Sequence, residues 1–244
     1  MKIIDDLLAH LSPDGVPLRD VIIGAHWTAV LTRGCGLAAT MQDPPPHKGP
    51  SVRDAGKLME KAPAQLMQLA RSENLMEASI GMATINSLME IDEERCSEIN
   101  AFDVLAEQGA GKDMAVVGHF PFVPKLKEIT RNLWVLEQRP QQGDIEAERA
   151  ADVLPRCQVV GITGIAFINH TLETLLKLCR NAFVMLLGPT TPLAPLLFDY
   201  GIDALSGSKV VDEARVAQYV SQGATFQQLH HAGVRLLTMT KQAL

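Results

Sequence analysis

Cysteine is scarce and shows no pattern. Cys35, Cys96, Cys157 and Cys179 form no Cys-x-x-Cys pair. Their spacing gives neither a zinc knuckle nor a disulfide framework, and a reducing cytoplasm is the simplest setting. Basic residues are not in excess: 22 Lys and Arg face 28 Asp and Glu, and they are scattered. No basic stripe therefore argues for nucleic acid or for an anionic membrane surface. No apolar run approaches the length of a membrane span. Three phosphate and nucleophile motifs are also missing. There is no G-x-G-x-x-G after the first parallel strand, no G-x-x-x-x-G-K-[ST] and no G-x-S-x-G, which argues against a dinucleotide fold, a P-loop NTPase and an α/β-hydrolase.

What remains is an ordinary globular composition, 47% apolar and 20% charged over 244 residues. That length allows one or two domains with a real core. The opening MKIIDDLLAHL reads as an amphipathic helix rather than a signal peptide. Three short apolar stretches follow, Leu18–Ile23, Thr28–Thr32 and Leu37–Met41. Short Gly-containing turns join them, and they predict an antiparallel meander. Residues 43–50 (DPPPHKGP) read as a stiff exposed loop, serving as a lid, an edge or a simple connection. Val52–Glu60 and Ala64–Ala70 are expected helices. Leu75–Glu90 is the strongest helix, with an apolar stripe of Leu75, Ala78, Met82, Ile85 and Met89. Asn86 beside that stripe is surface-facing, or else meets the second domain or a ligand.

From Ala101 onward the pattern changes to strand alternating with helix. Met114–Val117, Leu133–Leu136, Val159–Ile162, Phe183–Leu187 and Ile202–Leu205 are short continuous apolar runs suited to buried parallel strands. Val234–Leu237 is a sixth candidate. Asp144 is most simply the cap of a helix running to Val153 and otherwise a ligand residue, and Gly223–Gly233 reads as loop, with His230 and His231 exposed. The strand ends are small or polar: Gly118-His119, Glu137, Thr163-Gly164, Gly188-Pro189-Thr190-Thr191 and Ser206-Gly207. In open α/β sheets ligands bind at that rim. His119 there is a metal ligand, a proton carrier, a hydrogen-bond donor or a turn cap. Glu137 is a metal ligand, an acid or base, a holder of a ribose hydroxyl, or the partner of Arg131 or Arg139 in a surface salt bridge. Gly188 to Pro192 is an anion cradle or a stiff turn, and Thr163 and Asn169 carry the same two readings. His26, Cys35 and His47 fit no standard metal spacing.

Five segments resemble one known family: VVGHFPFV (116–123), LEQRPQQGD (136–144), GITGIAFINHTLE (161–173), LLGPTTPLAPLLFDYGIDALSG (186–207) and EASIGMATINSL (77–88). They are similar, in the same order, to the heavy-metal-chelation domain proteins. The resemblance implies an enolase-N-terminal-like α+β domain, expected over residues 1–109, followed by a Rossmann-like parallel-sheet domain over 110–244. It implies a site in the cleft between them. The combined expectation is a mixed α/β, cytoplasmic protein that binds a transition metal ion or a metal-bearing small ligand through His119 and Glu137. Gly118, Thr163, Asn169, Gly188, Thr190 and Thr191 would contact the ligand. The alternative is an enzyme acting on a nucleotide-like or small anionic metabolite at the same rim. A homo-oligomer is left open.

Overall fold

A computed structural model of the chain describes residues 1–42 and 50–241. The proline-rich stretch, apart from Pro50, lies outside the described residues, and so does His47. Helix α1 (Lys2–His10) opens the chain, and strands β1 (Asp20–Ile23), β2 (Trp27–Leu31) and β3 (Cys35–Ala39) follow as the expected antiparallel meander. The expected helices at 52–60 and 64–70 shrink to turns, a short α2 (Pro63–Leu66) and 3-10 segments. Then come α3 (Leu75–Leu88), α4 (Ala101–Gly109), β4 (Asp113–Val117), α5 (Val123–Ile129), β5 (Asn132–Glu137) and the two-residue β6 (Ile145–Glu146). The chain continues through α6 (Ala150–Val153), β7 (Val159–Thr163), α7 (Ile165–Ile168), α8 (Leu172–Leu178) and β8 (Phe183–Leu187). It ends with β9 (Ala204–Val210), α9 (Glu213–Ser221), α10 (Phe226–Gly233) and β10 (Val234–Thr240).

Seven strands form the large sheet in the order β10-β9-β8-β7-β4-β5-β6. All pairings are parallel except β9 with β10. The fold is therefore mixed α/β, with a small antiparallel sheet and a mostly parallel one. Alternation along the buried strands sorts side chains to two faces. Met114, Val116, Val159 and Met185 pack with Val104 and Leu105 of α4 and Leu126 of α5. Ala115, Val160, Ile162, Val184 and Leu186 join the larger core, which also takes α1, α3 and one face of the meander. The other meander face meets α9 and α10 through Ala29, Leu37, Val216 and Leu229.

Helix α3 is not the one-sided amphipathic helix its stripe suggests. Residues Glu77–Ile85, Ser87 and Leu88 are all buried. Its polar residues are small or internally bonded. Ser79 and Thr84 donate to the carbonyls of Leu75 and Ile80, and Ser87 donates to that of Thr84. Glycine brings backbones into contact with it. A Cβ on Gly36 would lie 2.1 Å from the Ala83 carbonyl oxygen, and one on Gly81 would lie 1.9 Å from the Ala70 nitrogen. Asn74 caps the helix by accepting from Met76 and Glu77 N–H. Two other expectations are corrected. Residues 223–233 contain helix α10, closed by a Thr225–Gln228 capping box. Ser206 and Gly207 sit inside β9 rather than at its end, because β9 continues to pair with β10.

Candidate functional site

The topology sets the site. From β4 the chain adds β5 and β6 on one side, then returns to place β7 on the other. The loops leaving β4 and β7 therefore diverge at a switch point, where a crevice opens beyond the strands' carboxyl ends. Gly118 (φ +99°) and Thr163 meet there; a Cβ on Gly118 would come within 3.0 Å of Thr163 Cβ. Gly118, His119, Glu137, Thr163, Asn169, Gly188 and Thr190 all line one cavity of about 850 Å³. Thr191 does not line it; it is buried behind the wall, its Oγ1 without a partner. From outside the parallel half, Trp27, Ala39, Met41 and Asn100 complete the wall.

Two carboxylates approach His119, one at its backbone and one at its ring. Glu137 Oε1 accepts the His119 backbone N–H at 3.1 Å, and Oε2 accepts from Gln138 at 2.9 Å and Arg139 at 3.5 Å. The carboxylate at the end of β5 thus ties together the loops after β4 and β5. The surface salt bridge considered for it does not form with Arg131, which pairs with Asp113. Asp144 does not cap a helix, because the chain continues as β6. Its Oδ2 accepts from Gln141 N–H at 2.9 Å and lies 3.4 Å from His119 Nδ1. The Asp144 side chain is only 4% exposed and the His119 side chain 38%. The Asp144 contact lies on the Nδ1 edge of the ring, and among the described residues Nε2 has no hydrogen-bond partner. Asp144, read from the sequence first as a helix cap, is the carboxylate the fold brings to the His119 ring.

Two amides of the Gly188–Pro192 turn are used within the fold. Gly188 N–H donates to Ser206 O at 3.0 Å, and Thr191 N–H donates to Gly188 O at 2.9 Å. Thr190 Oγ1 accepts from Ala39 N–H at 3.0 Å, and Asn86 Nδ2 donates to both Leu37 O and Thr190 O. Asn86 and Thr190 therefore pin the meander to the parallel sheet beside the cavity. Asn169 Oδ1 accepts from Thr171 N–H and Oγ1, holding the start of α8. Thr163 Oγ1 accepts from Ile165 N–H at 3.3 Å. His230 also reaches the wall; it lies exposed on α10, with Nδ1 2.8 Å from Val234 O.

Cysteine plays no part in the cavity wall. Cys35, Cys157 and Cys179 are buried, and desolvation pushes their thiols up to about 12, 11 and 12. Such thiols are poor thiolate ligands near neutral pH. Among the described residues no three His, Cys, Asp or Glu side chains group as a metal-ion site.

Comparison with known proteins places the chain. Residues 100–239 match the family model DUF364, and residues 4–89 match DUF4213, both described as "Putative heavy-metal chelation". The chain belongs to the DUF364 family. A crystal structure of a family protein of unknown function from Desulfitobacterium hafniense is 30% identical. It superposes with a TM-score of 0.86 over 98% of both chains. A family protein of unknown function from Pyrococcus horikoshii, 18% identical with a TM-score of 0.84 over 98% of both chains, shares the fold. An uncharacterised protein of Methanocaldococcus jannaschii is 26% identical over 164 residues, 64% of this chain and 63% of that protein's length. Among the described residues no helix is long and apolar enough to cross a membrane.

Proposed function

We propose that this protein binds a transition metal carried in a small organic ligand, seated in the rim cavity, with His119 supplying the protein's metal-binding nitrogen. One observation carries the reading. His119 lines a cavity of about 850 Å³, its Nδ1 lies 3.4 Å from the Asp144 carboxylate, and its Nε2 has no hydrogen-bond partner among the described residues. That volume suits an organic ligand and far exceeds a bare ion. A closed structural metal site needs about four protein ligands, and the described residues offer no group of three. A metal that brings most of its own ligands fits such a donor set, and imidazole suits zinc, copper, iron and nickel. Glu137 and Asp144 act as positioning residues, one on the His119 backbone and the other on its ring. The family description supports the metal, and the seam between the meander and the parallel sheet supplies the walls.

The test is calorimetric titration of metal-stripped protein with Ni(II), Co(II) and Zn(II), each free and as its one-to-one complex with 2,2′-bipyridine. The complex is expected to bind more tightly than the free ion, and His119→Ala is expected to abolish the difference. Equal binding by wild type and variant would remove His119 from the site.

A further inference from the structure

Building on that reading, we infer that the cavity selects its ligand by charge: the occupant is an uncharged or cationic, mainly apolar molecule carrying no phosphate or free carboxylate. Three observations converge. First, none of the described lining residues is Lys or Arg; the titratable side chains of the wall are Glu137, His119 and His230. Arg235, next to the lining residue Leu236, is held by Glu93 and Glu98.

Second, six backbone amides at this rim are used internally. Gly118, Gly164 and Gly188 N–H donate to the carbonyls of Leu136, Leu187 and Ser206 at 2.8–3.0 Å. The His119, Gln138 and Arg139 N–H groups converge on Glu137. These donors are turned to the sheet carbonyls and to Glu137 rather than to the cavity.

Third, much of the remaining wall is carbon: Trp27, Met41, Phe120, Leu136, Leu175 and Phe226. An anion entering such a space loses its hydration and gains no lysine or arginine, only neutral donors such as Trp27 Nε1, which opposes binding. Glu137 adds repulsion. At an effective dielectric constant of about 20, like charges roughly 6 Å apart weaken binding about a hundredfold, and the amides on Glu137 reduce this toward about tenfold. A nucleotide is disfavoured on these grounds, whereas a neutral heteroaromatic or a cationic chelate is not.

The experiment compares two ligands that differ only in charge, 2,2′-bipyridine and its 4,4′-dicarboxylate. Each is titrated calorimetrically near neutral pH, with and without one equivalent of Ni(II). The dicarboxylate is expected to bind at least about tenfold more weakly in both settings. Glu137→Gln, which keeps an acceptor for the loop amides, is expected to narrow the gap. A dicarboxylate that binds as tightly as the parent, or more tightly, overturns the charge inference whatever the metal does. Preference for the uncharged ligand with no effect of Ni(II) sinks the metal reading and leaves charge selection standing. No binding by any of the four counts against both.

Discussion

Replacing Glu77 with Gln removes a buried charge at the foot of α3. Its carboxylate accepts from Arg53 N–H, from the Arg53 guanidinium and from Ser72 Oγ, at 2.7–3.2 Å. The Glu77 side chain is 2% exposed, whereas that of Arg53 is 70% exposed. The Arg53 guanidinium, with Ser72 and the Arg53 amide, holds the Glu77 carboxyl down at about 2 against an ordinary 4.5. A folded pKa below the unfolded one stabilises the fold above the unfolded value. That stability is lost as pH falls from about 4.5 toward 2. The full shift corresponds to about 3 kcal/mol, and solvent screening of the exposed Arg53 lowers this to about 2 kcal/mol. For a chain of this size that is a fall in melting temperature of roughly 4–8 °C at pH 7. The network matters to the site because the Ser72 carbonyl also meets His170 Nε2 at 2.9 Å, beside the lining residues Asn169 and Thr171. Urea unfolding of wild type and Glu77→Gln at pH 7, 5, 4 and 3 is the assay. The difference should be constant above pH 5 and shrink steadily below pH 4.5. A difference that stays the same at pH 3 would refute the electrostatic account.

Other outcomes follow from single contacts. Asp144→Asn should weaken binding of the nickel–bipyridine complex about 10- to 100-fold through loss of ring orientation, with the melting temperature nearly unchanged; unaltered affinity in calorimetry would dissociate Asp144 from the site. Gly36→Ala drives a methyl group into the backbone of α3 at 2.1 Å and should cost more than about 3 kcal/mol in chemical unfolding, the scale of overpacking at an unyielding backbone. Native protein exposed to iodoacetamide near neutral pH should leave Cys35, Cys157 and Cys179 unmodified by mass spectrometry, since burial keeps them protonated.

The βαβ unit around His119 was legible because its apolar runs are continuous and a glycine turn interrupts them. Chain order could not show that β7 returns to the far side of β4, and that return makes the crevice. Helix α3 looks one-sided in sequence because its serines, Thr84 and Glu77 resemble a solvent face, yet each finds a partner in the fold. Helix α10 was hidden by its flanking glycines, although Thr225 and Gln228 spell a capping box. Ser206-Gly207-Ser208 resembles a strand end, but Gly207 lies within β9 where the Thr191 carbonyl oxygen approaches to 2.6 Å of where its Cβ would be. The His119–Asp144 pair joins residues 25 positions apart through a loop, and no periodicity reports such a contact.

The most direct measurement is electron paramagnetic resonance of the protein loaded with the one-to-one Cu(II)–bipyridine complex. The account predicts magnetic coupling to an imidazole nitrogen that disappears in His119→Ala and persists in His230→Ala. Coupling that survives the loss of His119, or a wild-type spectrum identical to that of the free complex, would contradict it.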